Sequence, residues 1–305
     1  MSDGKAVIVD RVIKVYESRG ERVTALREVS LTVDEGEIVT IMGPSGSGKT
    51  TLMNLIAGID KPTAGKVIVF GRQVHSMREE ELRKYRLHVV GYVFQQHNLI
   101  PTLTAVENVL LPMTLAGKPD EARARRLLEK VGLSGKENRF PEELSGGEQQ
   151  RLAAAVALAN EPRLVIADEP TGELDMATGE KIIKLLISEA RDEGRTVIIT
   201  THDPRVARMT DRVVLLEDGR IRGSYSPQRI AAEGPSGEVA VERVIVEYFK
   251  RLLSDVRERK AKLAERLARG EISVDELVEE YNKLRSLEEA IVDELSRLGA
   301  GVEAF

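Results

Sequence analysis

Residues 38–50 read Ile38-Val39-Thr40-Ile41-Met42-Gly43-Pro44-Ser45-Gly46-Ser47-Gly48-Lys49-Thr50. The run that ends at Met42 is apolar and rich in β-branched side chains, which is typical of a buried strand. Good helix formers follow from Thr50 to Ala57. The glycine-rich segment in between therefore lies in a loop, and the stretch predicts a strand, a loop and a helix in that order.

The spacing from Gly43 to Thr50 matches the phosphate-binding P-loop pattern G-x-x-x-x-G-K-[ST] in full. Glycines let successive backbone N–H groups point at phosphate oxygens beside a helix N-terminus, whose dipole favours anions. We expect Lys49 to reach the β- and γ-phosphates of a nucleotide and the Thr50 hydroxyl to bind Mg²⁺. The residues predicted to contact the nucleotide here are Gly43, Ser45, Gly46, Ser47, Gly48, Lys49, Thr50 and Thr51. A plain glycine-rich turn is the alternative, and the flanking strand and helix argue against it.

A second apolar run, Leu164 to Ala167, ends in the two acids Asp168 and Glu169. A parallel sheet presents its ligand-binding groups at the carboxyl ends of its strands. We therefore predict that Asp168 holds Mg²⁺ through water and that Glu169 acts as general base on the attacking water. By itself the pattern also fits a strand that ends in a solvated acidic turn. Combined with the P-loop, it predicts a P-loop NTPase.

Short apolar segments alternate with helical ones along much of the chain, which predicts a mainly parallel sheet covered on both faces. The further strand candidates are Ala6–Val9, Val12–Tyr16, Val29–Val33, Val67–Phe70, Val89–Phe94, Val197–Thr200 and Val213–Leu216. Helical spacing dominates from Leu103 to Leu158, and an amphipathic helix is predicted from Lys181 to Glu193.

After Gly223 the sequence no longer alternates between short apolar segments and helical ones. Residues 224–237 include Pro227 and Pro235 and are predicted to form a linker. Residues 238–305 show two apolar stripes at helical spacing, which Gly270 separates and which a Ser273/Glu276 capping box restarts. This tail is predicted to be a helical hairpin, and three roles stay open for it: simple packing, dimerisation or regulatory docking.

The composition and net charge argue against several classes of function. The 305 residues carry a formal net charge of −5, which argues against a broad nucleic-acid-binding surface. The absence of cysteine excludes a disulfide framework and thiolate metal sites. No apolar stretch of about 18 residues and no signal-like N-terminus is present, so we expect any membrane pore to come from another chain.

Residues 144–151, Leu144-Ser145-Gly146-Gly147-Glu148-Gln149-Gln150-Arg151, resemble the signature of the ABC (ATP-binding cassette) family. A serine and two glycines at the head of a helix make a second anion-binding N-terminus, which suggests a partner's nucleotide. The resemblance implies that Ser145, Gly146 and Gly147 close on the γ-phosphate held by a second subunit's P-loop. Without the surrounding motifs, the pattern would be an ordinary serine N-cap.

Four further features match the family pattern. Gln95, in Gly91-Tyr92-Val93-Phe94-Gln95, is similar to the glutamine that senses Mg²⁺ and water. His202 is similar to the switch histidine that contacts the γ-phosphate, and Leu174-Asp175 to the loop that couples two active sites. Tyr16 resembles the aromatic residue that stacks on adenine. Taken singly, His202 fits a polar residue at a strand end and Tyr16 fits strand packing.

The match runs from about Ala6 to Gly223. It implies an α/β P-loop NTPase (RecA-like) core with an antiparallel β subdomain, an α-helical subdomain at about 97–160 and the C-terminal α-helical hairpin. The ATPase domain would span 1–223. The segments Phe94 to Pro101, Thr104 to Val109 and Ala167 to Gly172 resemble the branch that serves lipoprotein release, macrolide export and cell division.

The resemblance implies an active ATPase that binds ATP and Mg²⁺, dimerises head to tail with a second copy or a related subunit, and drives a transmembrane permease. It would lie in the cytoplasm, peripheral on the inner face of the cell membrane. Three residues depart from the family pattern: Glu148 and Val156 in the signature helix, and Glu173 beside Leu174.

A soluble ABC ATPase that acts on DNA or ribosomes is the second hypothesis. Members that act on DNA carry a very long coiled coil between the P-loop and the signature, and those that act on ribosomes hold two cassettes. This chain has one cassette and no such insertion, so we expect nucleic acid not to be its partner.

Overall fold

The computed structural model describes residues 4–18, 21–171, 176–226, 239–298 and 300. The strands are β1 Lys5–Ser18, β2 Glu21–Asp34, β3 Ile38–Met42, β4 Ala64–Val69, β5 Arg72–Gln73, β6 Val90–Val93, β7 Leu164–Asp168, β8 Thr196–Thr201, β9 Arg212–Glu217 and β10 Arg220–Tyr225. The helices are α1 Lys49–Ile56, α2 Glu79–His88, α3 Ala105–Leu115, α4 Glu121–Lys130, α5 Gly146–Leu158, α6 Met176–Glu193, α7 Pro204–Ala207, α8 Val239–Ala268 and α9 Val274–Arg297.

A six-stranded sheet, ordered β10-β9-β3-β8-β7-β6, forms the centre of the chain. The five strands β9, β3, β8, β7 and β6 are parallel, and β10 runs antiparallel to β9 at one edge. Every residue of β3, β7 and β8 is buried, because helices cover both faces of the sheet. The predicted α/β class with a mainly parallel sheet is confirmed.

A second sheet, ordered β2-β1-β4-β5, is antiparallel and packs over α1. The sequence predicted two strands, at 6–9 and 12–16, and the structure shows one strand of 14 residues instead. The polar break between them is an irregularity: Arg11 has φ 45°, and the register with β2 shifts between Val9 and Val12. A bulge bends a strand without ending it, so the predicted break was wrong.

Helices α3, α4 and α5 share a buried cluster with α6 and with one face of the central sheet. Thr104 caps α3: its side chain accepts from the backbone N–H of Glu107, and the Glu107 carboxylate accepts from the backbone N–H of Thr104. The loop that carries Gln95 connects β6 to this helical layer.

The two C-terminal helices form the predicted hairpin. Gly270, at φ 71°, follows the end of α8, and the side chain of Ser273 accepts from the N–H of Glu276 at the start of α9. The predicted linker begins too early, because Ser224 and Tyr225 pair with Val214 and Val213 in the sheet. Residues 227–238 lie outside the described part of the chain, and no described helix is long and apolar enough to cross a bilayer.

Candidate functional site

The P-loop connects β3 to α1 in the predicted order, and two of its glycines are required by close backbone contacts. A Cβ on Gly43 would lie 2.0 Å from the carbonyl oxygen of Leu216. Gly48 adopts φ 102°, and a Cβ there would lie 2.6 Å from the carbonyl oxygen of Ala25. The loop is thus pressed against β9 on one side and β2 on the other, which fixes its curl.

Lys49 folds back over the loop. Its Nζ donates to the carbonyl oxygens of Gly43, at 2.8 Å, and of Pro44, at 3.1 Å. The same Nζ lies 3.2 Å from Oε1 of Glu169, and only 7% of the lysine side chain is exposed. The ammonium therefore lies against the loop in which the sequence predicts phosphate binding.

Asp168 and Glu169 stand at the carboxyl end of β7, beside Thr200 on the parallel neighbour β8. The Thr200 hydroxyl donates to Oδ1 of Asp168 at 2.6 Å and accepts from the backbone N–H of Glu169 at 2.9 Å. Glu169 has φ 47°, a left-handed conformation that turns its side chain out of the strand direction. The carbonyl oxygen of Thr200 also accepts from the Glu169 N–H, at 3.1 Å, so this one residue contacts both acids.

The carboxylate of Glu169 lies between the side chains of Lys49 and His202. Its Oε2 lies 3.1 Å from Nδ1 of His202, opposite the contact with Lys49. Burial pushes the pKa of Glu169 upward, but the hydrogen bond and charge of His202 and the charge of Lys49 outweigh it and hold that pKa below its ordinary value. The hydrogen bond from Glu169 in turn raises the pKa of His202.

These groups border one cleft of about 730 Å³. The predicted site residues that line it are Ser45, Gly46, Gly48, Lys49, Thr50, Thr51, Gln95, Glu169 and His202. Gly43, Ser47 and Asp168 are buried behind it. Asp175 and Leu174, together with the departing Glu173, lie outside the described residues. The cleft is large enough for a nucleotide, given the usual range of about 300–1,000 Å³ for ligand sites.

Tyr16 lies at the edge of this region and does not line the cleft. Its hydroxyl donates to Oδ2 of Asp60 at 3.0 Å, and the ammonium of Lys14 sits 4.7 Å from the ring centroid. Burial and Asp60 raise the pKa of Tyr16, against the effect of a hydrogen bond with Thr51 of α1. The ring is 40% exposed and within reach of the P-loop helix, so the stacking role stays a prediction.

The signature residues lie at the start of α5, away from the cleft of their own chain. Ser145 and Gly146 are exposed, and neither they nor Gly147 line the cleft. Farther along the helix, Nε2 of Gln150 donates to the carbonyl oxygen of Phe94 at 3.4 Å, next to Gln95. Within one chain, the P-loop and the predicted signature therefore lie at separate places.

Sequence reasoning missed two residues that organise the site. Thr200 lies within a strand whose six residues are all buried, and its parallel register opposite Asp168 is the signal that could have found it. The Tyr92 hydroxyl lies 3.4 Å from Oδ2 of Asp168 and 3.2 Å from Oδ1 of Asn54. In the sequence, Tyr92 stands out only as part of the stretch that leads to Gln95.

The donor set fits ATP and Mg²⁺. In the described part of the chain, the buried Ser47 Oγ in the P-loop has no hydrogen-bond partner. Thr50, Gln95 and Asp168 offer hydroxyl, amide and carboxylate oxygens, the ligand types that Mg²⁺ prefers. No described group of three His, Cys, Asp or Glu side chains could hold a metal alone, so a cation here would also need phosphate oxygens.

Comparison with known proteins identifies the family. The family described as ABC transporter matches residues 26–172. The uncharacterized ABC transporter ATP-binding protein MJ0796 of Methanocaldococcus jannaschii is 47% identical over 217 residues, which are 69% of this chain and 92% of that protein. A dimeric structure of MJ0796 in a post-hydrolysis state, bound to ADP and Pi, aligns with TM-score 0.69 at 43% identity, over 72% of this chain and 98% of that chain.

Two further relatives carry functional names. The lipoprotein-releasing system ATP-binding protein LolD 2 of Caulobacter vibrioides is 45% identical over 211 residues, 68% of this chain and 92% of that protein. The macrolide export ATP-binding/permease protein MacB of Chromobacterium violaceum is 40% identical over 256 residues, 81% of this chain and 40% of that protein. The chain therefore belongs to the ABC transporter family, in the lipoprotein-release and macrolide-export branch, as an ATP-binding subunit that hydrolyses ATP.

Proposed function

We propose that two copies of this chain clamp two ATP–Mg molecules head to tail and drive a separate membrane permease. One observation carries the dimer: the signature at the start of α5 lies outside the cleft that the other predicted catalytic residues line. A second copy would bring its Ser145, Gly146 and Gly147 to that cleft. The dimeric, ADP-bound structure of the relative MJ0796 supports this arrangement.

The chemistry follows from the contacts of Glu169. The hydrogen bond and charge of His202, and after them the charge of Lys49, lower the pKa of Glu169, which makes it a weak base. An arriving phosphate competes for the ammonium of Lys49, because the lysine faces the mouth of the loop. With Lys49 drawn to the phosphates, the pKa of Glu169 rises and the carboxylate can polarise the attacking water, while His202 stays on the γ-phosphate side.

Mg²⁺ would be held by Thr50, Gln95 and Asp168 and would offset the negative charge of the phosphates. Thr200 and Tyr92 both contact the carboxylate of Asp168 and orient it for this role. The position of the metal would therefore depend on the residues that hold Asp168 as well as on Asp168 itself. Gln95 is exposed at the cleft and joins it to the helical layer, which we propose spans about 97–160 of an ATPase domain at 1–223.

A second, mostly apolar groove supports docking of the permease. It measures about 270 Å³ and runs between α2, β6, α3 and α5. Its lining includes Ile59, Leu87, Tyr92, Phe94, Pro112 and Val156. The rings of Tyr92 and Phe94 stack at 4.1 Å next to Gln95, so a segment in this groove would contact the strand that leads into the ATP site. The departing residue Val156 adds apolar surface there.

A permease that docks in this groove would place the chain on the cytoplasmic, inner face of the cell membrane. An amphipathic segment with an apolar face fits the groove best, because few polar groups line it.

The Glu169→Gln variant tests the dimer. It should lose ATPase activity by about 100-fold or more, because the general base is removed, and it should elute as a dimer in gel filtration with ATP and Mg²⁺. An exposed carboxylate outside the site, replaced in Glu129→Gln, serves as the control.

A double variant, Glu169→Gln with Gly146→Asp, sharpens the test. A Cβ on Gly146 meets no atom within 4 Å in the monomer, so the folded chain accepts the substitution. In a head-to-tail dimer the new carboxylate would face the partner's phosphates and should prevent dimerisation, although ATP still binds. Persistent dimers of the double variant would contradict the head-to-tail arrangement.

A further inference from the structure

The C-terminal hairpin packs directly on the ATPase core beside the nucleotide cleft. Phe249 of α8 and Ile291 of α9 are buried in one cluster with Met42, Val213 and Leu215 of the central sheet. Met42 is the residue that leads into the P-loop. The hairpin therefore shares a hydrophobic core with the strand that carries the phosphate-binding loop.

Polar contacts attach the hairpin to the segment that follows His202. The guanidinium of Arg208 donates to Oε2 of Glu294 at 2.6 Å, to Oδ2 of Asp293 at 2.6 Å and to the carbonyl oxygen of Ala290 at 3.0 Å. Arg205 of α7 donates to the hydroxyl of Ser286 at 3.0 Å. The position of the hairpin is thus fixed relative to the catalytic His202.

This placement makes the hairpin one wall of the nucleotide cleft. The hairpin residues that line the cleft, together with the P-loop, Glu169 and His202, are Leu252, Asp255, Val256, Arg259, Lys283, Leu284 and Leu287. Tyr248, one turn before Leu252, has its pKa raised first by burial and then by the negative charge of Glu169. Helix α8 therefore passes within electrostatic reach of the proposed catalytic base.

Two cations of this wall face the cleft, and they differ in how well they are neutralised. Lys283 lies 2.8 Å from Oε1 of Glu279 on its own helix. Arg259 is exposed and, within the described residues, has no ion pair or hydrogen bond. Across the cleft, Glu169 is already paired with Lys49 and His202. Among the described residues, Arg259 is thus a positive charge on the cleft wall that forms no ion pair with a carboxylate.

We propose that the nucleotide site extends onto the hairpin and that Arg259, assisted by Lys283, binds the phosphate chain of ATP from the hairpin wall of the cleft. A guanidinium presents a planar set of donors that matches phosphate oxygens, and it is always charged. This inference rests on the proposed ATP site. It adds a second wall that the P-loop pattern does not include, and the match to the relative MJ0796 covers 69% of this chain.

Calorimetric titration of the full chain with a non-hydrolysable ATP analogue and Mg²⁺ tests the proposal. Arg259→Ala should raise Kd by about 3- to 10-fold, the range expected for one partly exposed charge contact. Arg259→Lys should recover part of the loss, and Lys283→Ala should have a smaller effect. Because the contact is with phosphate, the loss should be larger for the ATP analogue than for AMP.

Two further variants control the measurement. Lys250 lies nine residues before Arg259 on α8, which places it on the opposite face of the helix, and it is exposed and outside the cleft. Lys250→Ala should leave Kd unchanged. Asp255 lines the cleft with the opposite charge, so Asp255→Asn should leave Kd unchanged or lower it.

An unchanged or lower Kd for Arg259→Ala, or an equal loss for Lys250→Ala, would overturn the inference while leaving the ATP site intact. Failure of the unsubstituted chain to bind the analogue would instead refute the proposed function, and this inference with it.

Discussion

Thr200 is the residue on which the geometry of both acids depends. It is fully buried, and its hydroxyl donates to Asp168 and accepts from the N–H of Glu169. Loss of the hydroxyl would leave the Asp168 oxygen without this donor, at a cost of about 1–3 kcal/mol, whereas the Glu169 N–H would keep its bond to the Thr200 carbonyl oxygen at 3.1 Å. The same loss would release the side chain of Asp168, the proposed metal ligand, from the strand to which the proposed base is attached. Thr200 is therefore a positioning residue that does not itself touch the substrate.

We predict that Thr200→Val, which keeps the shape and removes the hydroxyl, lowers ATPase activity by about 10-fold or more, since small misplacements of reacting groups are costly. The free energy of unfolding should fall by about 1–3 kcal/mol. Thr200→Ser keeps the hydroxyl and should stay near the parent in activity. Steady-state ATPase assays measure the activity, and urea denaturation measures the free energy of unfolding. Full activity in the valine variant would show that the hydroxyl does not position the acids.

Glu148 in helix α5 departs from the family pattern, and its contacts at the start of the helix explain why a glutamate fits there. Glu148 occupies the third position of this helix, where its carboxylate accepts from the backbone N–H of Ser145 at 3.0 Å and also from Lys136. These two hydrogen bonds, that from Lys136 first, hold the pKa of Glu148 below its ordinary value. A negative charge at a helix N-terminus is favourable, so glutamate stabilises the start of the signature helix.

Replacement of Glu148 tests this account at the scale of the helix. Glu148→Ala removes the capping bond and the ion pair, and should lower the free energy of unfolding by about 1 kcal/mol. Glu148→Gln keeps an acceptor for Ser145 and should lower it less. Glu142→Ala, at an exposed carboxylate just before the helix, should change it by less than about 0.5 kcal/mol. Urea denaturation at neutral pH ranks the three, and a glutamine variant as unstable as the alanine one would refute the capping role.

The whole molecule is held together by a core that crosses from the ATPase fold into the hairpin. Ile245, Phe249 and Ile291 pack with Val213 and Leu215 in one cluster. The buried carboxylate of Glu294 accepts from Arg208 and also, at 3.3 Å, from the hydroxyl of Tyr225 on β10. The hairpin and the sheet should therefore unfold together.

Ile291→Ala tests this continuity. The side chain is fully buried, so its truncation should cost about 2–4 kcal/mol through lost burial and a residual cavity. If the hairpin and the ATPase fold form one cooperative unit, a single thermal transition should shift to lower temperature. Val278→Ala, at a side chain that is 50% exposed on the same helix, is the matched control. A separate low-temperature transition, with the main one unchanged, would show that the hairpin folds independently.

Local patterns in the sequence were sufficient for the features that depend on residues close together in the chain. The P-loop from Gly43 to Thr50, the strand that ends in Asp168 and Glu169, and the capping box of Ser273 and Glu276 were all predicted at their observed positions. Their chemistry depends on fixed spacing, because a loop, a strand end or a first helical turn involves only neighbouring residues. The family assignment followed from the order of such motifs.

The tertiary structure alone decided which distant residues meet. Thr200 reaches Asp168 only because β7 and β8 are parallel neighbours in one register. Ser224 and Tyr225 join the sheet although their surroundings resemble a linker, since pairing with β9 outweighs local composition. Arg259 enters the cleft only because Arg208 and a shared core hold the hairpin against the site. Such contacts depend on how elements pack, and packing energies between segments far apart in the chain leave no fixed spacing in the sequence.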